Sequence, residues 1–343
     1  MTDAIVVGST GQDGALLCER LLRDGFSVAG SYRSSSSGAF WRIDELGVQD
    51  DIDFFDYEIG RPAGLADEIR VRKPSLVFFA AGDSMTAASQ DAGPRIMSSN
   101  VVGCAEQIQS LRQSGSDARA AFFGSSEVFG YSSLPGERAV ESTPMRPVNP
   151  YGLSKQFAGS LVDHYRNSES MSLFEATLFP HESEFRGPGF LVRKVVSCLV
   201  RAKVGVVRGG PTRFGALEST RDWGSARDYM DLLVELMTSD APPDRYVFGT
   251  GVSHSVRDVF QIVASLVDMA LEERDTPEGR ALVDASTGHP VAIVEARSLA
   301  NAGHGLVGSS KKLFDAIGEK SLQPFRQTLS HMVEVEFSQH RLA

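Results

Sequence analysis

Short, uniformly apolar runs recur along the first half of the chain, and helical spacing follows them. Ala4-Ile-Val-Val7 is the first run, and Leu16, Leu17, Leu21 and Leu22 behind it share one helical face. Further runs at Phe26–Tyr32, Asp51–Phe55, Ser75–Phe79, Ala120–Phe123 and Leu173–Leu178 predict the next strands. Helices are expected over 100–114 and from about 151 to 167. Runs of this kind suit strands covered on both faces, as in a parallel sheet. Strands alternating with helices at this spacing predict an α/β fold with a doubly wound parallel sheet.

After residue 178 the character changes. Arg186-Gly-Pro-Gly189 reads as a loop and Phe190–Val204 as an amphipathic helix. A second helix ends near Met237, and Arg245–Phe248 reads as a strand returning to the sheet. The expected division is a dinucleotide-binding domain over 1–178, plus the returning strand near 245–260. A smaller, mostly C-terminal α/β substrate-binding domain would take 179–244 and 261–343. No internal repeat is visible, and the only low-complexity stretch is Ser34–Ser37.

Composition changes little in this picture. With 42% hydrophobic and 23% charged residues, the chain has ample material for a core. A net charge of −10 argues against nucleic acid or an anionic membrane as partner, while leaving room for a local basic pocket. Cys18, Cys104 and Cys198 are isolated and fit no zinc spacing, so buried reduced thiols and a cytoplasmic location are expected. The chain opens on a strand and glycine turn rather than a basic, then apolar, targeting segment. No run reaches the roughly 18 apolar residues that span a bilayer.

Candidate chemistry begins at Gly8-Ser-Thr-Gly11-Gln-Asp-Gly14, set between strand and helix. Glycines there let the backbone approach a pyrophosphate resting on the helix N-terminus, a Rossmann-type entry with G-x-x-G-x-x-G spacing. At the end of the second strand, where a carboxylate would meet the 2′-hydroxyl of NAD, stand Arg33 and Ser34. That substitution predicts NADP. Asp56 closes the third strand, placed for an adenine amino group, and the small residues Ala80, Ala81 and Ser84 after the fourth admit a nicotinamide ribose. Ser125, Ser126 and Glu127 leave the fifth strand. Pro150 then opens a helix that puts Tyr151 and Lys155 on one face. Alone, that pair is two side chains on a helix; in this order it is an acid/base candidate. A lysine ammonium beside the phenol is expected to lower its pKa from about 10 toward neutrality. Arg193, Lys194, Arg208, Arg213 and Arg221 gather in the second half of an acidic protein, which suggests an anionic substrate such as a nucleotide diphosphate.

Over roughly residues 3 to 260 the chain resembles the extended short-chain dehydrogenase/reductases, and within them the GDP-mannose 4,6-dehydratases. The motifs are Gly8-x-x-Gly11-Gln12-Asp13-Gly14, Ser125-Ser126-Glu127-Val-Phe-Gly, His181-Glu182-Ser183, Arg193-Lys194 and Arg221-Asp222-Trp223-Gly224. The resemblance implies that Tyr151 takes the proton of a sugar 4-hydroxyl held by Ser125, while Lys155 holds the cofactor ribose. Glu127 would remove the C5 proton. Ser126 stands where dTDP-glucose dehydratases carry aspartate. The resemblance also places His181 and Arg186 at the cofactor. On the substrate side it places Ser84, Ser125, Glu127, Arg193, Lys194, Arg221 and Arg297. It implies a GDP-linked hexose as substrate, a tightly held NADP, and a homodimer or homotetramer.

Departures fall on the substrate side. Pro180 replaces an asparagine, Gly215-Ala216 a Gly-Asn, and Arg297-Ser-Leu-Ala an Arg-Pro-x-Glu. Lost amides and a lost carboxylate remove partners that discriminate polar ligands. Two other classes stay open: an NADP-linked reductase or epimerase on a nucleotide sugar, which needs no C5 base, and a non-catalytic module holding NADP as a structural ligand.

Overall fold

The uniform apolar runs fold as one parallel sheet in the computed structural model, which describes residues 2–35, 40–61, 64–84, 92–132, 136–206, 210–295 and 303–341. Its strands are β1 Ala4–Val7, β2 Val28–Tyr32, β3 Ile52–Asp56, β4 Leu76–Phe79, β5 Arg119–Phe123 and β6 Leu173–Leu178. A short strand elsewhere, β7 Thr212–Phe214, precedes the returning strand β8 Arg245–Phe248. The seven-stranded order is β3-β2-β1-β4-β5-β6-β8. The direction of winding reverses between β1 and β4, which opens a crevice at their C-terminal ends.

Helices α1 Gln12–Arg23 and α2 Trp41–Leu46 lie on one face, where Leu16, Leu17, Leu21 and Ile43 are buried. Helices α3 Leu65–Arg72, α4 Gly103–Ser114 and α5 Pro150–Glu169 cover the other through Ile69, Ile108, Leu111 and Val162. Each such leucine or isoleucine contributes about 1.5–3 kcal/mol by leaving water. A short helix, Gly93–Met97, runs through a π-helical turn, Ser98–Val102, into α4.

Helix α6 Leu191–Lys203 begins the second unit. Helix α7 Ala226–Thr238, which chain order assigned to that unit, packs instead beside α1, burying Tyr229, Leu233 and Leu236 in the core of the large sheet. Helix α8 Val256–Leu266 and strands β9 Leu271–Thr276, β10 Gly279–Asp284 and β11 Pro290–Glu295 return to the smaller unit. Its sheet runs β7-β11-β10-β9, with β7 and β11 parallel and the rest antiparallel. Helix α9 Lys311–Ile317 goes back to the large core through Leu313, and α10 Phe325–Arg341 closes the small one. The two units therefore interleave more than the expected division, in which only 245–260 returned to the first: α7 and α9 also join the large core, and Val256, Val259 and Phe260 belong to the small one. Val195, Leu199, Phe260, Leu329 and Met332 form the second core.

Cys18, Cys104 and Cys198 are free and buried. No helix among the described residues is long and apolar enough to cross a membrane.

Candidate active site

Two clefts, of about 660 and 610 Å³, meet at the C-terminal ends of β1, β4 and β5, sharing Gly11, Arg42, Ala80, Gly82, Asp83 and Ser84. The glycine loop forms their common floor. Gly8 has φ +90°, and a Cβ on it would lie 2.8 Å from the Ala81 nitrogen. A Cβ on Gly14 would lie 2.1 Å from the Gly8 carbonyl oxygen, so α1 can start this close to the loop only with glycine there. Gly11 caps α1 without a side-chain acceptor, leaving the N–H groups of the first turn to a ligand. The cradle fits a pyrophosphate.

At one end of the crevice Arg33 is exposed on the cleft wall and has no ion-pair partner among the described residues. Ser34 is turned away: its N–H and its hydroxyl both donate to Asp56, each at 2.9 Å. Asp56 thus accepts one hydrogen bond on each oxygen at the rim and keeps further acceptor capacity. The Ser35 hydroxyl donates to Glu58 at 3.2 Å. Ser36 and Ser37 lie outside the described residues.

The Gln-Asp pair in the glycine loop is a clasp to the strand His181–Glu182. Ser183 donates to the Gln12 carbonyl oxygen at 3.0 Å, and the His181 Nε2 lies 3.1 Å from Asp13. The other His181 nitrogen lies 2.7 Å from the Phe179 carbonyl. Both ring nitrogens therefore face acceptors, and the imidazolium satisfies both. Burial pushes the imidazole pKa down, but the Asp13 carboxylate outweighs it and the net shift is up; Arg186 opposes. Burial likewise pushes Asp13 up, and the His181 charge and hydrogen bond carry it well below its usual range.

The two signs define a window. The Asp13 contribution is present above its usual 3.8 and is lost as pH falls through the folded value. The His181 contribution is complete below 6.5 and fades as pH rises through its raised folded value. Asp13→Asn should therefore lower Tm most near about pH 5 to 6, with the gap to wild type narrowing as pH rises past 6.5 through the raised His181 value. A pH-independent gap in thermal denaturation would remove the ion pair from the account.

At the other end stand the residues leaving β5 and opening α5. The Glu127 N–H donates to the Ser125 hydroxyl at 3.3 Å, and Ser126 lines the cleft beside them. Tyr151 is buried, with the Ser125 hydroxyl beside its phenol. The expected depression of its pKa does not follow from this geometry. Burial pushes the phenol up to about 12, outweighing the Ser125 hydrogen bond. The Lys155 ammonium donates to the Phe123 carbonyl at 2.7 Å and lies 5.9 Å from the centroid of the Tyr151 ring. Burial also lowers the Lys155 pKa. Glu127 accepts at 2.8 Å from Asn149, a residue whose sequence context marks only a helix start.

The basic residues of the second half do not converge as a group. Lys194 and Arg221 line the cleft, together with Arg186, whose guanidinium lies 3.6 Å over the Phe190 ring. Arg221 is fixed by the Thr220 and Gly303 carbonyls at 2.7 and 2.9 Å, and it meets the Tyr131 hydroxyl at 3.0 Å. Arg193, one residue before Lys194, points out of the cleft into a 2.6 Å ion pair with buried Glu336 on α10. It is a structural tie, not a wall of the site. Arg213 pairs with Glu278 at 2.6 Å on the surface. Arg208 and Arg297 lie outside the described residues. Arg42 is the cation that sequence reasoning missed: it donates to the Thr10 and Phe185 carbonyls at 3.1 and 2.9 Å, where the two clefts join. Nothing in its local sequence marks it. Pro180 and Ala216 sit in the cleft wall, where the missing amides would have been. Among the described residues no cluster of histidine, cysteine and carboxylate side chains could hold a metal ion.

The family model for GDP-mannose 4,6 dehydratase matches residues 5–332, so the family likeness runs well past residue 260, where the motifs fade. A GDP-mannose 4,6-dehydratase of Sinorhizobium fredii is 29% identical over 98% of this chain and 98% of its own length. One from Arabidopsis thaliana is 32% identical over 76% of this chain and 73% of its own. Among solved structures, the dTDP-glucose 4,6-dehydratase DesIV of Streptomyces venezuelae superposes with a TM-score of 0.81 at 16% identity, covering 99% and 98% of the two chains. The NADPH complex of RMD from Pseudomonas aeruginosa gives 0.74 at 19% identity, covering 98% and 100%. With a family match that takes in both units and every element of the crevice, this chain belongs to the GDP-mannose 4,6-dehydratase family.

Proposed function

We propose that this protein is a redox-neutral nucleotide-sugar 4,6-dehydratase acting on GDP-mannose or a related GDP-sugar such as a GDP-heptose. The observation that carries the reading is a carboxylate, Glu127, held on the same cleft wall as Ser125 and Tyr151. A ketoreductase needs the serine and tyrosine only; elimination also needs a base for C5–H.

In this reading Tyr151 accepts the proton of the sugar's 4-hydroxyl, whose oxygen Ser125 holds by a hydrogen bond. A ketone at C4 acidifies C5–H, and Glu127 takes that proton. The same carboxylic acid then protonates the departing 6-hydroxyl, which leaves as water; once C6 has been reduced, a proton returns to C5, balanced by the one that Tyr151 took from the 4-hydroxyl, so that the phenolate is restored. A bound nicotinamide dinucleotide supplies what these side chains lack: a hydride acceptor at C4, a hydride donor at C6 and, when oxidised, a cationic ring near the phenol. The Gly8–Gly14 loop and the start of α1 would hold its pyrophosphate, Ala80, Ala81 and Ser84 its nicotinamide end, and Lys155 the adjoining ribose. Lys194 and Arg221 would face the substrate diphosphate, and Arg186 the cofactor. Incubation with GDP-mannose and no reductant should yield a 4-keto-6-deoxy sugar nucleotide with no net absorbance change at about 340 nm. Steady consumption of NADPH instead would favour the reductase.

The unpaired guanidinium of Arg33 supports NADP over NAD. A charge-assisted contact to the 2′-phosphate is worth about 1.5–3 kcal/mol. Arg33→Ala should thus weaken NADP binding by roughly 10- to 100-fold and leave NAD affinity nearly unchanged, as titration calorimetry would read. Equal loss for both dinucleotides would place Arg33 elsewhere.

A further inference from the structure

We infer that Asn149 is a positioning residue for the base, fixing one oxygen of Glu127 so that the other faces C5 of the sugar; this rests on the dehydratase reading above. Asn149 immediately precedes the proline that opens α5, the helix carrying Tyr151 and Lys155. Its carbonyl oxygen accepts from the Gly152 N–H at 2.8 Å, the bond expected of a helix cap. Its amide nitrogen donates to Glu127 Oε2, also at 2.8 Å. The amide orientation is not arbitrary. The helix N–H demands the oxygen, so the nitrogen must turn toward the carboxylate. Serine and aspartate cap helices as well as asparagine does, yet neither can accept from the helix and donate to Glu127 with one rigid planar group.

The remaining surroundings fit the same role. Glu127 Oε1 has no protein partner among the described residues, while Oε2 is held. The backbone beneath is equally constrained: a Cβ on Gly152 would lie 2.5 Å from the Glu127 carbonyl oxygen, so the helix start abuts the base directly. One side chain thus ties the rotamer of Glu127 to the helix that carries Tyr151. The step it serves breaks the C5–H bond, forms O–H on Glu127 and sends the electron pair toward the C4 ketone. Misplacement of a reacting group by about 1 Å costs on the order of 100-fold in rate.

Capping and positioning predict opposite orders for two variants. Aspartate is as good a cap as asparagine and is favoured by the helix dipole, so a purely structural role makes Asn149→Asp at least as good as Asn149→Ser. Positioning makes it worse, because a second carboxylate then faces Glu127 where a donor stood. The test uses the full-length protein with its bound cofactor and GDP-mannose in deuterium oxide, reading deuterium at C5 by mass spectrometry beside Tm and the first absorbance rise at about 340 nm. Expected are melting temperatures within about 2 °C of wild type for both variants, with the absorbance rise retained in both. C5 exchange should be slower by about 10-fold in Asn149→Ser and about 100-fold in Asn149→Asp. Exchange in Asn149→Asp as fast as in wild type overturns the inference and leaves the dehydratase reading standing. A wild-type protein that never exchanges C5 overturns both.

Discussion

Glu127→Gln should stop dehydration while leaving the protein folded and still able to oxidise its substrate once. Glutamine matches the shape of the side chain and can still accept from Asn149, so the contact at 2.8 Å and the start of α5 survive. What disappears is the basic oxygen. General-base assistance is worth about 10²- to 10⁴-fold, and C5–H is a carbon acid; the other carboxylates lining the cleft are paired, Asp13 with His181, Asp83 with Arg95 and Glu182 with Arg186. Product formation should fall by about 10²- to 10⁴-fold. A single, non-recurring rise at about 340 nm should follow mixing with GDP-mannose, because hydride leaves C4 but the reaction cannot pass the ketone. Tyr151→Phe separates the roles, since without the phenol neither the rise nor the product should form. Dehydration at the normal rate in Glu127→Gln would show that some other group is the base.

Why the first half of this chain reads so directly from its sequence is a matter of range. An apolar run such as Leu76-Val-Phe-Phe79, buried on both faces, carries its own signature, and Gly8 and Gly14 are required by contacts within a few residues. Seven parallel strands and the crevice at their reversal follow from that local information. The second unit resists because its evidence is distant. Strand β9, Leu271-Glu-Glu-Arg-Asp-Thr276, is an edge whose charges guard against pairing with another chain, so its pattern is not that of a strand at all. Arg193 and Lys194 are adjacent, yet about 100° of helical rotation separates them. Glu336, far along the chain, claims the first and leaves the second to the cleft. The Tyr151 pKa fails for the same reason: a lysine four residues away is visible in sequence, whereas the burial that pushes the phenol up belongs to the tertiary structure. Asn149 did carry a signal, an amide before a proline at a helix start, but it signals a cap and says nothing of Glu127.

The second large effect belongs to Asp222, which sits fully buried between Arg221 of the cleft and Trp223 of the small core. Its carboxylate accepts from the N–H groups of Thr250, Gly251 and Gly308, at 2.9 to 3.1 Å, and from the Thr250 hydroxyl at 2.5 Å. Burial pushes its pKa up, and these donors offset that only in part. The loop leaving β8 and the segment before α9 can converge on it because Gly249 and Gly308 abut; a Cβ on Gly249 would lie 2.4 Å from the Gly308 Cα. Asp222→Ala strands those backbone donors, each costing about 1–3 kcal/mol when left unpaired away from water. The expected loss is at least about 3 kcal/mol, a fall in Tm of roughly 4 °C or more. Asp222→Asn, which keeps one acceptor but turns an N–H₂ toward other donors, should fall between. Because Trp223 stacks on Phe325 at 5.8 Å, the same seam holds α10 against the small unit and Arg221 against its carbonyls. Any surviving fraction of the alanine variant should therefore show a raised KM for the sugar nucleotide, beyond what lost protein explains. A melting temperature within about 1 °C of wild type would mean that water or neighbouring groups satisfy those donors, and that Asp222 does not hold the two units around the cleft.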